Sequence, residues 1–161
     1  ARMGHLKQAI HIFAYLKKCK QSMLVMDDTC PDFDESRFNK CDWSEFYPDA
    51  KEIMPPDMPE AHGKLVCMTC YVDADHAGCN ETRRSHTGII IFVNRAPILW
   101  FSKRQTTVET STFGSEIVAL RIAIEMIEGL RYKLRMMGVQ IDGPCNLFCD
   151  NESVVKNNKI K

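Results

Sequence analysis

The order of strand and helix signals after residue 65 is the feature that most constrains how this chain can fold. Three strand patterns are followed by one long helical pattern and then by a fourth strand pattern. The predicted strands cover residues 65–73, 87–93, 97–101 and 146–150. The helix, predicted over 112–137, carries the chain back across the sheet, so the fourth strand is expected to lie parallel to the first. The pattern therefore predicts an α/β fold with a mixed sheet.

The chain upstream of residue 65 divides into two segments of opposite charge. Residues 1–26 contain five basic residues and no acidic one, and their apolar residues recur every three or four positions. This segment predicts an amphipathic helix, followed by a short strand at 23–26. Residues 27–63 contain eleven acidic residues, three basic ones and five prolines, which excludes long helices and central strands there.

The acidic stretch, taken as 27–64, is predicted to be a linker or an insertion, because irregular segments of this length are unusual inside a compact domain. We expect Trp43, Phe46 and Tyr47 to pin it to the rest of the chain. Its carboxylates are expected to form a solvated acidic loop, and a cation site is the alternative.

The overall composition excludes several classes of protein. With 21 basic and 21 acidic residues the net charge is zero, which argues against a histone-like basic binder. No apolar run is long enough for a membrane span, and no secretory signal follows the N-terminus. The chain does not begin with Met, so we expect it to be a piece of a longer intracellular protein.

The eight cysteines are scattered, which favours reduced thiols over a disulfide framework. Cys67 and Cys70 form a C-x-x-C pair, but no second pair lies at zinc-finger spacing. A zinc or redox site is therefore not expected at this pair.

Three acidic residues stand at the ends of predicted elements. Asp73 and Asp150 each close an apolar strand, and Glu116 is expected in the first turn of the helix. If the two strands are parallel neighbours, both aspartates emerge at the same sheet end, where ligands bind in open α/β sheets. Converging carboxylates suit Mg²⁺ or Mn²⁺, whereas three ordinary surface acids are the alternative.

The residues around these acids resemble the ribonuclease H domains of copia-type retrotransposons. Residues 71–78 (Tyr-Val-Asp-Ala-Asp-His-Ala-Gly) resemble that family's Tyr-x-Asp-Ala-Asp-Trp-Ala-Gly motif, and 149–153 (Cys-Asp-Asn-Glu-Ser) match its Cys-Asp-Asn-Gln-Ser. Further family blocks are matched, in order, at 83–88, 97–105 and 107–116. Residues 5–20 are similar to the segment that joins reverse transcriptase to ribonuclease H in these polyproteins.

The resemblance implies an RNase H-like fold, with strand order 3-2-1-4-5, a fifth strand truncated here, and helices on both faces. It implies hydrolysis of the RNA strand of RNA–DNA hybrids during reverse transcription, with Asp73, Glu116 and Asp150 as the catalytic and metal-binding residues for two Mg²⁺ or Mn²⁺ ions. The domains would be the end of the reverse transcriptase connection at 1–26 and a truncated ribonuclease H domain at 65–161. The reverse transcriptase part of the same polyprotein would be a partner, in a cytoplasmic virus-like particle or the nucleus.

The family pattern and this chain differ at several points. The family's fourth acid and its nearby histidine would lie beyond Lys161, so we expect weak activity and marginal stability. Asp75 is expected to be secondary, and His76, where the family has Trp, to be a packing or surface residue. The alternative function is a degenerate remnant that keeps nucleic-acid or protein contacts without catalysis.

Six further residues are candidates for binding the hybrid, because such recognition uses phosphates, groove shape and the 2′-hydroxyl. These candidates are Arg83, Arg84, Lys103, Arg104, Asn151 and Ser153. The four bases flank the acid-bearing strands, and Asn151 and Ser153 follow Asp150. For the four bases, solvated loop charge is the alternative.

Overall fold

The computed structural model describes residues 3–34, 36, 45, 47–49 and 51–157. Among these residues the structure contains three helices and six strands. The elements are α1 (Met3–Lys18), β1 (His62–Val66), β2 (Met68–Asp75), β3 (His86–Val93), β4 (Ala96–Arg104), α2 (Thr112–Met136), β5 (Val139–Ile141), β6 (Asn146–Cys149) and α3 (Glu152–Asn157).

Four strands form the main sheet in the order β4-β3-β2-β6. The β2–β3 and β3–β4 pairs are antiparallel, whereas β2 and β6 are parallel, with Val72 opposite Cys149. This order confirms the arrangement predicted for the first four strands, including the parallel pairing produced by the helical crossover. The α/β class with a mixed sheet is also confirmed.

Helix α2 covers one face of the main sheet. It begins at an N-cap serine, Ser111, whose hydroxyl accepts a hydrogen bond from the Gly114 N–H at 3.1 Å. Small residues on the helix allow close packing against alternate residues of β2 and β3. The buried core comprises Met68, Cys70, Val72, Ala74, Ile89, Ile91, Ala119, Ala123 and Ile127. We call the opposite side of the sheet, which carries Tyr71 and Asp73, the outer face.

The predicted strand at 65–73 is in fact two strands, and β5 was not predicted at all. The break falls at Cys67, whose N–H donates to the side chain of Asn94 at 3.0 Å. Before the break, β1 leaves the main sheet and pairs in parallel with β5. Because β1 begins at His62, the end of the 27–64 segment is part of this second sheet and not of a linker.

Helix α1 forms as predicted, but its apolar side chains lie in solvent; Phe13, for example, is 71% exposed. The predicted strand at 23–26 is wrong, since these residues adopt no regular structure. Met23 is 81% exposed. A strand needs a neighbour to satisfy its backbone, and within the described part of the chain no strand pairs with this segment.

The acidic segment is fixed to the fold by polar contacts near Asn94 and by one ion-pair cluster on α2. The Asn94 side chain donates to the carbonyl of Asp28 at 2.7 Å. Farther along, the carboxylate of Glu52 accepts hydrogen bonds from Arg131 and Arg135 at 2.7–3.2 Å. Of the predicted anchors, Tyr47 is largely exposed, while Trp43 and Phe46 lie outside the described residues.

Candidate functional site

One end of the main sheet gathers most of the residues that the sequence singled out. Strands β2, β4 and β6 run in the same direction and end there, and α2 begins at the same end. Because Val72 is opposite Cys149, the next residue along each strand brings Asp73 level with Asp150. Both aspartates are exposed to solvent. The convergence inferred from the two strand ends is therefore present in the structure.

Glu116 approaches this end from the first turns of α2 and is only 3% exposed. The thiol of Cys149 lies 3.9 Å from its Oε2 atom. Burial raises the pKa of Glu116, and the negative charges of Asp73 and Asp150 raise it further. Hydrogen bonds from the backbone N–H of Ala74 and from the Cys149 thiol oppose this rise. Glu116 is thus a buried carboxyl held among like charges.

The ligand atoms of Glu116, Cys149 and Asp150 lie within 4.8 Å of one another, close enough to share one ion. Asp73 lies outside this group, but its charge acts on both Glu116 and Cys149. The structure therefore brings two predicted ligands together and sets the third beside them. Oxygen ligands of this kind fit Mg²⁺ or Mn²⁺. The sequence pattern alone gives Cys149 no role, although this residue lies within the matched 149–153 block.

A second group of residues, which no motif in the sequence marks as functional, restrains the helix turn that carries Glu116. The buried side chain of Gln105 donates to the hydroxyl of Thr87 at 3.1 Å and to the carbonyl of Ser115 at 2.9 Å. The backbone N–H of Gln105 donates to the carbonyl of Ser85 at 2.8 Å. Gln105 therefore connects β3 to the start of α2, one residue before Glu116. The only sequence signal was its place in the 97–105 block.

The four predicted phosphate ligands lie at this same end of the sheet. Arg83 and Arg84 belong to the loop between β2 and β3, and Lys103 and Arg104 end β4. Arg104 donates to the Cys79 thiol in that loop, at 3.7 Å. Hydrogen bonds from Thr82 and Arg104 lower the pKa of Cys79 to about 7. The basic side chains thus flank the carboxylates without neutralising Glu116 directly.

The two polar candidates after Asp150 have different roles. The Oδ1 atom of Asn151 accepts from the N–H groups of Ser153 and Val154, both at 3.1 Å, and so caps α3. Ser153 lies exposed in the first turn of α3, two residues beyond the cap.

No helix among the described residues combines the length and the apolar character needed to cross a bilayer.

Comparison with known proteins finds relatives among transposon polyproteins. The retrovirus-related Pol polyproteins from transposons RE2 and RE1 of Arabidopsis thaliana are 29% and 28% identical to this chain, each over 89 residues. An uncharacterized mitochondrial protein of the same plant is 44% identical over 52 residues, which is 32% of this chain and 22% of that protein. No family model and no solved structure matches. The aligned part is 55% of this chain but only 6% of each Pol polyprotein, so the chain matches only a small part of the length of these relatives.

Proposed function

We propose that this chain is the ribonuclease H section of a retrotransposon Pol polyprotein, with an RNase H-like fold. Its reaction is the metal-dependent, endonucleolytic hydrolysis of the RNA strand of RNA–DNA hybrids during reverse transcription. The observation that carries the proposal is the buried Glu116 carboxyl, placed beside Asp73 and Asp150 at the end of two parallel strands. The sequence similarity to Pol polyproteins supports the same assignment.

In this proposal Asp73, Glu116 and Asp150 hold two Mg²⁺ or Mn²⁺ ions. When bound, the ions would activate water for attack and would stabilise negative charge on the leaving oxygen of the phosphodiester. Burial keeps the Glu116 carboxyl in a fixed orientation, and the link from Gln105 to Ser115 restrains the helix turn that carries it. The exposed carboxylates of Asp73 and Asp150 face the side from which a nucleic acid can approach.

Binding of the hybrid is assigned to the basic side chains around the carboxylates. Arg83, Arg84, Lys103 and Arg104 contact phosphates, which sets position without reading sequence. The hydroxyl of Ser153 and the Nδ2 group of Asn151 contact the sugar or phosphate next to Asp150. Discrimination of RNA from DNA is assigned to the 2′-hydroxyl of the strand that is cut.

A second candidate is a remnant that binds nucleic acid without cutting it. It is favoured by the ion-sharing group of Glu116, Cys149 and Asp150, in which a thiol stands beside two of the three proposed carboxylates. A thiol is a soft ligand and suits Mg²⁺ poorly.

Cleavage of a labelled RNA–DNA hybrid separates the two candidates. With Mg²⁺ or Mn²⁺, the chain is expected to cut only the RNA strand, and Asp73→Asn to abolish cutting while leaving hybrid binding intact. Cys149→Ser serves as a control that keeps all three carboxylates. Hybrid binding with no cutting at any concentration of Mn²⁺ would favour the remnant, and cutting retained in Asp73→Asn would exclude Asp73 as a metal ligand.

A further inference from the structure

The outer face of the sheet contains an open hollow of about 360 Å³ next to Asp73. Tyr71 and Trp100 form its two walls, and Ile90 and Gly88 form its floor. Asp73 and Ser102 lie at one end, level with Gly88 in the pairing of the three strands. The hollow is therefore largely apolar, with a carboxylate and a hydroxyl at the end nearest the candidate metal ligands.

The hollow exists because glycine occupies a position where other residues would project a side chain. A Cβ atom added at Gly88 would find its nearest neighbour, the backbone oxygen of Asp73, at 3.9 Å, so the space above it is open. Tyr71 and Trp100 stand two strands apart, which corresponds to roughly 10 Å. This separation leaves room for one planar ring, with ring centroids about 5 Å from each wall.

The two walls differ in how they are held. The Tyr71 ring stacks on Phe148 at 5.1 Å with an interplanar angle of 16°, and Phe92 contacts its edge at 5.9 Å. Since β6 and β3 flank β2 on opposite sides, Phe148 supports Tyr71 from behind and the hollow opens on the other side. Trp100 is 63% exposed and free to adjust to a ligand. A fixed ring facing an adjustable one suits the capture of a flat molecule.

The part of the outer face next to the hollow, around Phe148, is already in contact with an aromatic ring. Phe33, from the acidic segment, packs on Phe148 with ring centroids 5.4 Å apart. This contact extends the aromatic surface formed by Phe148 and Tyr71. On the Phe148 side of Tyr71, this surface is thus covered by the ring of Phe33. The open half, between Tyr71 and Trp100, has the same chemistry and lacks such a ring among the described residues.

We propose that this hollow stacks one unpaired nucleobase, from a single-stranded segment that adjoins the hybrid, beside the candidate metal ligands. The proposal rests on the proposed function, because it adds a base contact to a site otherwise described by phosphate contacts. Arg104 follows Ser102 on the same face and is placed to contact the phosphate of the stacked nucleotide. Stacking tolerates any base, so the site selects unpaired nucleotides rather than a sequence.

Fluorescence of Trp100 tests the proposal directly. The chain has two tryptophans, so Trp43→Phe leaves Trp100 as the only tryptophan reporter. This protein is titrated with a four-nucleotide oligoadenylate RNA in EDTA, which prevents cleavage. Saturable quenching of Trp100 fluorescence is expected. The affinity of the Trp100→Ala variant is measured separately, by fluorescence anisotropy of the labelled oligonucleotide. Trp100→Ala should weaken binding ~5-fold or more, because one stacked base contributes at least that factor to the affinity.

A second variant keeps both rings and fills the space between them. Gly88→Val places a β-branched side chain on the floor, at a strand position that favours it, and is expected to weaken binding as strongly as Trp100→Ala. Tyr132→Ala, which removes an exposed aromatic ring from α2, is the matched control and should leave binding unchanged.

The outcomes distinguish this inference from the proposed function. Unchanged affinity in both Trp100→Ala and Gly88→Val would overturn the stacking site, whatever the hybrid-cleavage assay shows. Quenching that depends on protein concentration and needs no oligonucleotide would also overturn it, because a second copy of the chain would then cover the hollow. If stacking persists but hybrid cleavage is absent, only the ribonuclease assignment fails.

Discussion

The Glu52 ion-pair cluster gives a stability prediction that can be worked out from the structure. Its carboxylate accepts hydrogen bonds from Arg131 and Arg135, which lie 79 and 83 positions farther along the chain. These contacts lower the pKa of Glu52 from 4.5 to about 2. At about 1.4 kcal/mol for each pKa unit, the cluster would stabilise the fold by at most about 3 kcal/mol.

Solvent reduces this upper limit. The Glu52 side chain is 39% exposed, so screening lowers the expected contribution to about 1–2 kcal/mol. The arginine side chains are only 11% and 14% exposed, and truncating Glu52 would leave two poorly solvated guanidinium groups without this partner. We therefore expect Glu52→Ala to lower the free energy of unfolding by about 1–2 kcal/mol at pH 7.

Urea denaturation followed by circular dichroism measures this effect. Glu125→Ala is the control, because Glu125 forms an exposed pair with Arg121 on the same helix and should cost less than about 0.5 kcal/mol. A carboxyl whose pKa is lowered by folding stabilises the fold fully at pH values above its pKa in the unfolded chain. The difference in unfolding free energy between wild type and Glu52→Ala should therefore disappear as the pH falls from about 4.5 through 2. Equal unfolding free energies for Glu52→Ala and wild type at pH 7 would refute the reasoning and the attachment of the acidic segment to α2.

Three further predictions follow from other contacts. Without metal, Glu116→Gln should raise the free energy of unfolding at pH 7 by on the order of 1 kcal/mol, because it removes a buried charge. The wild-type chain should gain stability on acidification, because folding raises the pKa of Glu116 and the folded state therefore binds the proton more readily. Lower stability of Glu116→Gln in thermal unfolding would contradict this. Asn94→Ala should cost about 1–3 kcal/mol in urea, because the Cys67 N–H and the Asp28 carbonyl lose their buried partner; an unchanged midpoint would reject that role. Arg104→Ala should reduce the salt dependence of hybrid binding by about one phosphate contact, and an unchanged slope would reject it as a phosphate ligand.

The regular part of the fold could be predicted because its sequence signals are local. The β-branched run of β3 and the apolar stripe of α2 identify those elements, and the length of α2 dictates the parallel placement of β6. The break at Cys67 could not be predicted, since it depends on a hydrogen bond that the Cys67 N–H donates to Asn94, 27 positions away. The three residues of β5 are too few to produce a periodic signal.

The candidate site shows the same division. Asp73, Glu116 and Asp150 can be identified because each lies near the end or the start of an element predicted from the sequence, and the resemblance adds support from the surrounding residues. Cys149 faces Glu116 only because β6 lies beside β2 and beneath the start of α2. Its role, like that of Gln105, depends on tertiary packing that no spacing in the sequence reveals.

Binding of Mn²⁺, measured by the paramagnetic relaxation of water protons, tests the central claim most directly. We expect saturable binding to the wild-type chain and a loss of affinity of roughly tenfold or more when Asp73→Asn, Glu116→Gln or Asp150→Asn removes one ligand charge. Mn²⁺ affinity that is the same in all three variants as in the wild type would contradict the claim that these carboxylates form one cation site.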